Sequence, residues 1–304
     1  MRKILISLLV VMFAVSGLVS AQGASEMTVL DKATAIERIL YGAEQTGSLL
    51  ERVNKIEKNM YGVETKDALV TKLDRVYAYV RDSSSAGPSF SLKLNAVEWL
   101  LSHNLTSQPA KARIENMERI MLGSPVVGSF DGRLDKLMKM AYPEGQLEVA
   151  SVAVAKDTLI RIKIVTPLDT RNSRVGDAVT FQASDDVYVG GLLVIGKGAY
   201  GTGKVAKIEP AKNFGRDAKL EVSFDSIDSM DGSKIDTFLG EKAKEETKSL
   251  AKAAGATVAG MVLLGPIGVV GGAFVQGQDI TIPAGTELFI QTKNDIEVYG
   301  IKTK

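Results

Sequence analysis

The 304-residue chain has no cysteine, one histidine and almost no net charge, with 37 Lys+Arg against 36 Asp+Glu. Without cysteine there is no thiolate nucleophile, no disulfide framework and no thiolate metal site. A lone His103 excludes a multi-histidine metal centre and leaves little from which to build a histidine-dependent triad. A formal charge of +1 does not suit a protein that must neutralise many phosphates, so nucleic acid is not an expected partner. With 45% hydrophobic and 24% charged residues, the chain is not a disordered tail either. Its length suits two domains of roughly 100–200 residues each.

What is present begins with an address. Met1-Arg2-Lys3 supplies a short positive segment, Ile4 to Val15 is apolar apart from Ser7, and Val19-Ser20-Ala21 has the small-x-small form of a cleavage site. Residues 1–21 therefore read as a secretory signal peptide, with an apolar core too short for a comfortable membrane span. An uncleaved anchor is the alternative. Removal of Arg2 and Lys3 would bring the net charge to about −1. No cysteine follows the cleavage site to carry a lipid. The expected location is the periplasm or the outer-membrane side of a bacterial envelope, where ATP-driven chemistry is not expected.

Residues 22–145 repeat themselves. Ile36-Glu37-Arg38-Ile39-Leu40-Tyr41-Gly42 matches Met117-Glu118-Arg119-Ile120-Met121-Leu122-Gly123, and Arg52-Val53-Asn54-Lys55-Ile56 matches Arg133-Leu134-Asp135-Lys136-Leu137. A shorter period lies inside. Leu49, Val53, Ile56 and Met60 return as Leu69, Leu73, Val76 and Val80, then as Phe90, Leu94, Val97 and Leu101. Weaker copies follow at Ala110, Ile114, Met117 and Met121, and at Phe130, Leu134, Leu137 and Ala141. The i, i+4, i+7, i+11 spacing is one face of a helix, so each unit is a three-turn helix followed by a Gly- or Pro-containing break. Such helices must stack to bury their stripes. Tyr41, Tyr61, Trp99 and Tyr142 are candidates for an exposed binding surface on the stack, with burial in its core as the alternative.

From residue 149 to 304 the period becomes two. Ile160, Ile162 and Ile164 alternate with Arg161 and Lys163; Leu220, Val222 and Phe224 alternate with Glu221 and Ser223. Gly190-Gly191, Asp231-Gly232 and Asn213 to Asp217 mark turns, and many short strands with regular turns predict a closed barrel. Gly196-x-Gly198-x-x-Gly201 fits a dinucleotide fingerprint, and Gly198 to Lys204 the spacing of a phosphate loop. Both require a helix next, whereas Val205-Ala206-Lys207-Ile208 reads as a strand; no nucleotide and no other cofactor is expected.

Several short segments carry a resemblance. Asp185-Asp186-Val187-Tyr188 with Leu193-Val194-Ile195-Gly196-Lys197-Gly198, the turn Met230-Asp231-Gly232-Ser233, and Ile280-Thr281-Ile282-Pro283-Ala284-Gly285-Thr286 with Asn294-Asp295-Ile296 follow one another in a telling order. That order resembles the C-terminal barrel of TrbI-type subunits, which form the outer-membrane channel of type IV secretion and conjugation systems. Gly196 and Met230 stand where that family has prolines. The family's uncleaved inner-membrane helix and proline-rich reach are replaced here by the signal segment and the repeats. The resemblance implies a barrel with a membrane-inserting helical hairpin between its last two matching pieces.

That interval holds an uncharged stretch, Ala253 to Gln278, with Gly255, Gly260, Gly265, Gly268, Gly271 and Gly272 at close intervals. Small residues at such spacing allow close helix packing in lipid, but Gly265-Pro266 breaks any single helix. The following strand must rejoin the same barrel, which favours a re-entrant hairpin that touches a membrane or a second copy of the chain. The alternative is a Gly-rich hairpin folded on a soluble barrel.

Catalytic signals are weak. His103 lies in a loop, Ser184-Asp185 and Ser226-Ile227-Asp228 lack an activating base, and Asp185-Asp186 with Asp225-x-x-Asp228 lack the ligand density of a calcium loop. The expected fold is α+β in two domains. An all-α array of about twenty-residue repeats (22–145) is followed by an antiparallel β-barrel (149–304) with a Gly-rich hairpin inserted at about 243–278. The expected role is non-enzymatic: an envelope structural protein binding a membrane, cell-wall or protein component, or a soluble exported module binding a glycan or peptide.

Overall fold

The computed structural model describes residues 27–84, 87–142, 146–209, 211, 218–253 and 279–303. Residues 1–21, the Asn213 to Asp217 turn and all the candidate residues of the Gly-rich stretch, Gly255 to Gly272, lie outside them. The protein is α+β, with an N-terminal helical array and a C-terminal antiparallel barrel.

Six helices form the array: α1 (Val29–Tyr41), α2 (Leu49–Tyr61), α3 (Leu69–Arg81), α4 (Phe90–Ser102), α5 (Ala110–Leu122) and α6 (Phe130–Ala141). Their starts are 20, 20, 21, 20 and 20 residues apart, because each repeat carries its own start and stop signals. Thr28, Ser48, Ser89 and Ser129 accept a hydrogen bond from the amide three residues on, satisfying a donor the helix itself leaves free. Gly42, Gly62 and Gly123 close α1, α2 and α5 at positive φ, where a side chain would strain the backbone. His103 takes that place after α4 at φ 47°.

The apolar stripes converge on one core that includes Ile36, Leu40, Val53, Ile56, Leu73, Val76, Phe90, Leu94, Ile114 and Leu134. α1, α2 and α3 pack together, as do α4, α5 and α6; the triads then face each other through α1 on α5, α2 on α6 and α3 on α4. The pairing explains the longer repeat, since α1–α2 and α5–α6 are its two copies. The repeats stack, and they also close on themselves.

A second signal locks successive helices together. Glu37, Glu98 and Glu118 each pair with an arginine fifteen residues later, Arg52, Arg113 and Arg133. Glu57 pairs with Lys72 at the same interval and with Arg75. Each of these carboxylates also accepts the amide N–H of the intervening loop, from Gln45, Thr106, Val126 and Thr65 respectively. Burial pushes the Glu118 pKa up, but the bonds from Arg133 and the Val126 amide outweigh it and hold the carboxyl below its usual range. Deleting one partner of such a buried pair strands a charge, at a cost of about 3–5 kcal/mol. The α3–α4 connection lacks the device, with Tyr77 and Lys93 at the corresponding positions.

The second region contains β1 (Val149–Val154), β2 (Leu159–Ile164), β3 (Leu168–Asp169), β4 (Ala178–Ala183), β5 (Val187–Val189) and β6 (Leu192–Ile195). Then come β7 (Tyr200–Glu209), β8 (Lys219–Asp228), β9 (Lys234–Phe238), α7 (Glu241–Ala253), β10 (Thr281–Ile282), β11 (Glu287–Thr292) and β12 (Ile296–Lys302). The closed barrel runs β11-β2-β4-β7-β8-β9, a four-stranded sheet runs β1-β12-β6-β5, and β10 pairs with β3. Ile160, Ile162 and Ile164 of β2 and Leu220, Val222 and Phe224 of β8 fill the interior. Closure leaves none of the six barrel strands with an open edge.

Candidate functional site

α4 joins the two regions. Phe90, Leu94 and Val97 enter the core of the array, while Leu92, Ala96 and Trp99 belong to the core of the barrel. Trp99 is 6% exposed, and its indole N–H donates to Asp186 at 3.0 Å. The Asn95 amide donates to the Met230 carbonyl at 2.8 Å, and the Leu105 N–H to the Lys197 carbonyl at 2.7 Å. The Tyr142 hydroxyl donates to the Ala96 carbonyl at 2.9 Å. His103 meets the Trp99 ring edge-on at 4.9 Å. The turns at Asp186, Gly196 to Gly198 and Met230 to Gly232 are thus the surface on which α4 sits.

That seating accounts for Gly198, and packing between barrel strands for two further glycines. A Cβ on Gly198, which has φ +84°, would lie 2.2 Å from the Leu105 carbonyl oxygen. On Gly201 it would strike the Phe181 ring, and on Gly203 the Ser223 carbonyl oxygen. The element that follows Gly198 is the strand β7, so no helix N-terminus faces this turn. Asp185 pairs with Arg161, Asp186 holds Trp99 and the Lys197 amide, and Asp228 pairs with Lys234. Among the described residues, no group of three His, Asp or Glu is placed to hold a metal ion.

Tyr41 lines an open cleft of about 660 Å³ between α1, α2, α5 and α6. Its hydroxyl accepts from the Asn59 amide at 2.8 Å, and its ring lies 6.1 Å from Phe130. Lys55, Lys111 and Glu115 stand around the rim, with the Lys55 ammonium 5.8 Å from the Tyr41 ring centre. Burial raises the Tyr41 pKa, so the phenol keeps its proton. Tyr61 lies on a different seam, packed on Tyr79 at 5.7 Å, and Tyr79 donates to Asp131. Of the four aromatic candidates, then, Tyr41 faces an open cleft, Tyr61 another helix seam, and Trp99 and Tyr142 the junction with the barrel.

The Gly-rich stretch is flanked by well-anchored neighbours. The Gln291 side chain accepts from the Ala243 N–H at 3.0 Å, and the Thr247 hydroxyl accepts from the Phe289 N–H at 2.9 Å. α7 therefore runs antiparallel to β11, towards the end where β11 begins. On the far side of the stretch Asp279 pairs with Arg171, and the Ile280 N–H donates to the Thr170 hydroxyl. Among the described residues, no helix is long and apolar enough to cross a membrane.

No known family model and no curated protein matches the sequence. Among solved structures, the chain is similar to ComB10 of the Com type IV secretion system of Helicobacter pylori, at 15% identity and a TM-score of 0.26. The match covers 47% of this chain and 88% of that one. Agreement at that level decides neither role nor partner.

Proposed function

We propose that the chain is a non-enzymatic structural and interaction protein of the bacterial cell envelope, exported by residues 1–21. In this reading residues 22–145 and 149–304 are its two domains. The barrel presents the Gly-rich stretch to a membrane or to a second copy of the chain, and the array binds another envelope component. The observation that carries the proposal is the anchoring on both sides of the uncharged stretch. α7 is bonded to β11 of the barrel, and Asp279 pairs with Arg171 in the connection between β3 and β4, so both flanks are held by the β-rich region of the same chain. A segment whose two flanks are held by the same region suits a re-entrant contact better than a single crossing.

Fractionation of native cells tests it. The protein is expected to stay with membranes through carbonate and to be released by detergent. A variant with residues 254–278 replaced by a short Gly/Ser linker is expected in the soluble fraction. Recovery of the unmodified protein as a soluble monomer would sink the proposal. The open cleft beside Tyr41 favours a second reading, a soluble exported module that binds a glycan or peptide, and that outcome would select it.

A further inference from the structure

The two copies of the longer repeat differ where the array opens. Tyr41, Gln45 and Asn59 line the cleft, while the second copy has Leu122, Val126 and Met140 at the corresponding positions. The helical period, the Glu–Arg pairs and the core residues are kept in both copies, so packing alone does not account for this polar trio.

The groups in the cleft define a ligand chemistry. Tyr41, Phe130 and Pro109 supply apolar surface. The Tyr41 hydroxyl accepts from Asn59, and among the described residues nothing takes its own proton. The Asn59 carbonyl oxygen likewise has no donor among the described residues. Among the described residues, Lys55 makes only a 3.3 Å bond to Gln45 and the contact with the Tyr41 ring, and Lys111 stands 4.0 Å from Glu115. Arg133, by contrast, is committed to Glu118. Two available ammonium groups outnumber one carboxylate, beside a neutral donor and acceptor and an apolar wall. The volume falls in the range of small-ligand sites.

We propose that this cleft binds a carboxylate-bearing saccharide. Lys55 and Lys111 take the carboxylate, the Tyr41 hydroxyl and Asn59 take sugar hydroxyls, and the apolar wall meets the C–H face of a ring. A peptide carboxylate would use the ammonium groups but has no hydroxyl-rich ring for Tyr41 and Asn59. The inference deepens the proposed partner-binding role of the array and rests on that reading only for where the ligand is met.

Isothermal titration of the purified protein with trigalacturonate, maltotriose and an unrelated tripeptide separates the cases. Trigalacturonate is expected to bind and maltotriose not to bind. Y41F keeps the ring and is expected to weaken binding about ten-fold, as is Lys111→Met. Lys139→Met, on the exposed side of α6, is expected to change nothing. Unchanged thermal melting of each variant shows that the fold is intact. Equal binding of the neutral sugar, no binding of either sugar, or tripeptide binding sensitive to the same substitutions would overturn the proposal. The titration uses no cells, so its result is independent of the fractionation.

Discussion

α3 and α4 occupy matching places in the two triads and face each other, yet one is buried along a single stripe and the other along two. Both send the repeat's apolar stripe inward, as Leu73, Val76 and Val80 in α3 and as Phe90, Leu94 and Val97 in α4. Where α4 carries Leu92, Ala96 and Trp99 against the barrel, α3 carries exposed Thr71, Arg75 and Ala78. The repeat specifies a helix and its neighbours within the array; a second stripe on one copy specifies an additional partner. In α4 that partner is the barrel of the same chain.

The comparison breaks most sharply at Trp99. Trp99→Ala removes a ring with 6% exposure and the bond to Asp186, and is expected to cost about 3–5 kcal/mol in urea unfolding followed by far-UV circular dichroism. Ala78→Trp on α3 places the same side chain on an exposed face and is expected to change stability by no more than about 0.5 kcal/mol. A loss below about 1 kcal/mol for Trp99→Ala would mean that the second stripe does not hold the regions together.

That second stripe shows what can be read from a repeat and what cannot. Anchors such as Leu49, Val53, Ile56 and Met60 mark helix and buried face because the i, i+4, i+7, i+11 pattern is local. Alternation at Ile160, Ile162 and Ile164 marks a barrel strand for the same reason. Leu92, Ala96 and Trp99 have helical spacing too, but each follows a residue of the stronger stripe by two positions, so two opposite faces interleave into one apolar run of sequence. The Glu–Arg interval of fifteen residues was also present in the chain. It acquires meaning only once each loop brings the Arg of one helix beside the Glu of the helix before. The facing of α1 on α5 is a long-range contact that no local period encodes. The cleft at Tyr41 depends on that facing, so its lining residues, drawn from four helices, were readable only as a single aromatic candidate.

Tyr142 sharpens the comparison through pH. Its hydroxyl donates to the Ala96 carbonyl on α4, and burial pushes its pKa from the ordinary 10 up to about 12. Because the folded state favours the neutral phenol, its contribution is complete below pH 10 and is lost as pH rises from 10 through about 12. Tyr142→Phe removes that titration and the bond, at a cost of about 1 kcal/mol at neutral pH. The alkaline limb of the stability curve, from urea midpoints at successive pH values, is expected to become shallower. Tyr61, also pushed to about 12 by burial, leaves a residual slope in the variant. An alkaline limb identical to that of the unmodified protein would show that Tyr142 does not carry this dependence.

The smallest difference between α3 and α4 lies at their first residues. Ser89 caps α4 by accepting from the Leu92 N–H, whereas Ala68 begins α3 with no side-chain bond. The Ala68 backbone is nevertheless ready for a cap, since φ −60° and ψ 146° resemble φ −62° and ψ 161° at Ser89. A68S therefore places a hydroxyl within reach of the amide of Thr71 without moving the chain. The gain is one satisfied donor at an end already held in place, so α3 is expected to gain about 0.5–1 kcal/mol, read as a higher urea midpoint at unchanged slope. The same exchange in reverse, Ser89→Ala, should cost more than A68S gains. Ser89 is buried and its hydroxyl also bonds Ser83, so alanine there abandons two partners in a place water does not reach. Equal and opposite effects would mean that the cap alone, and not the burial of Ser89 and its bond to Ser83, sets the value of that serine.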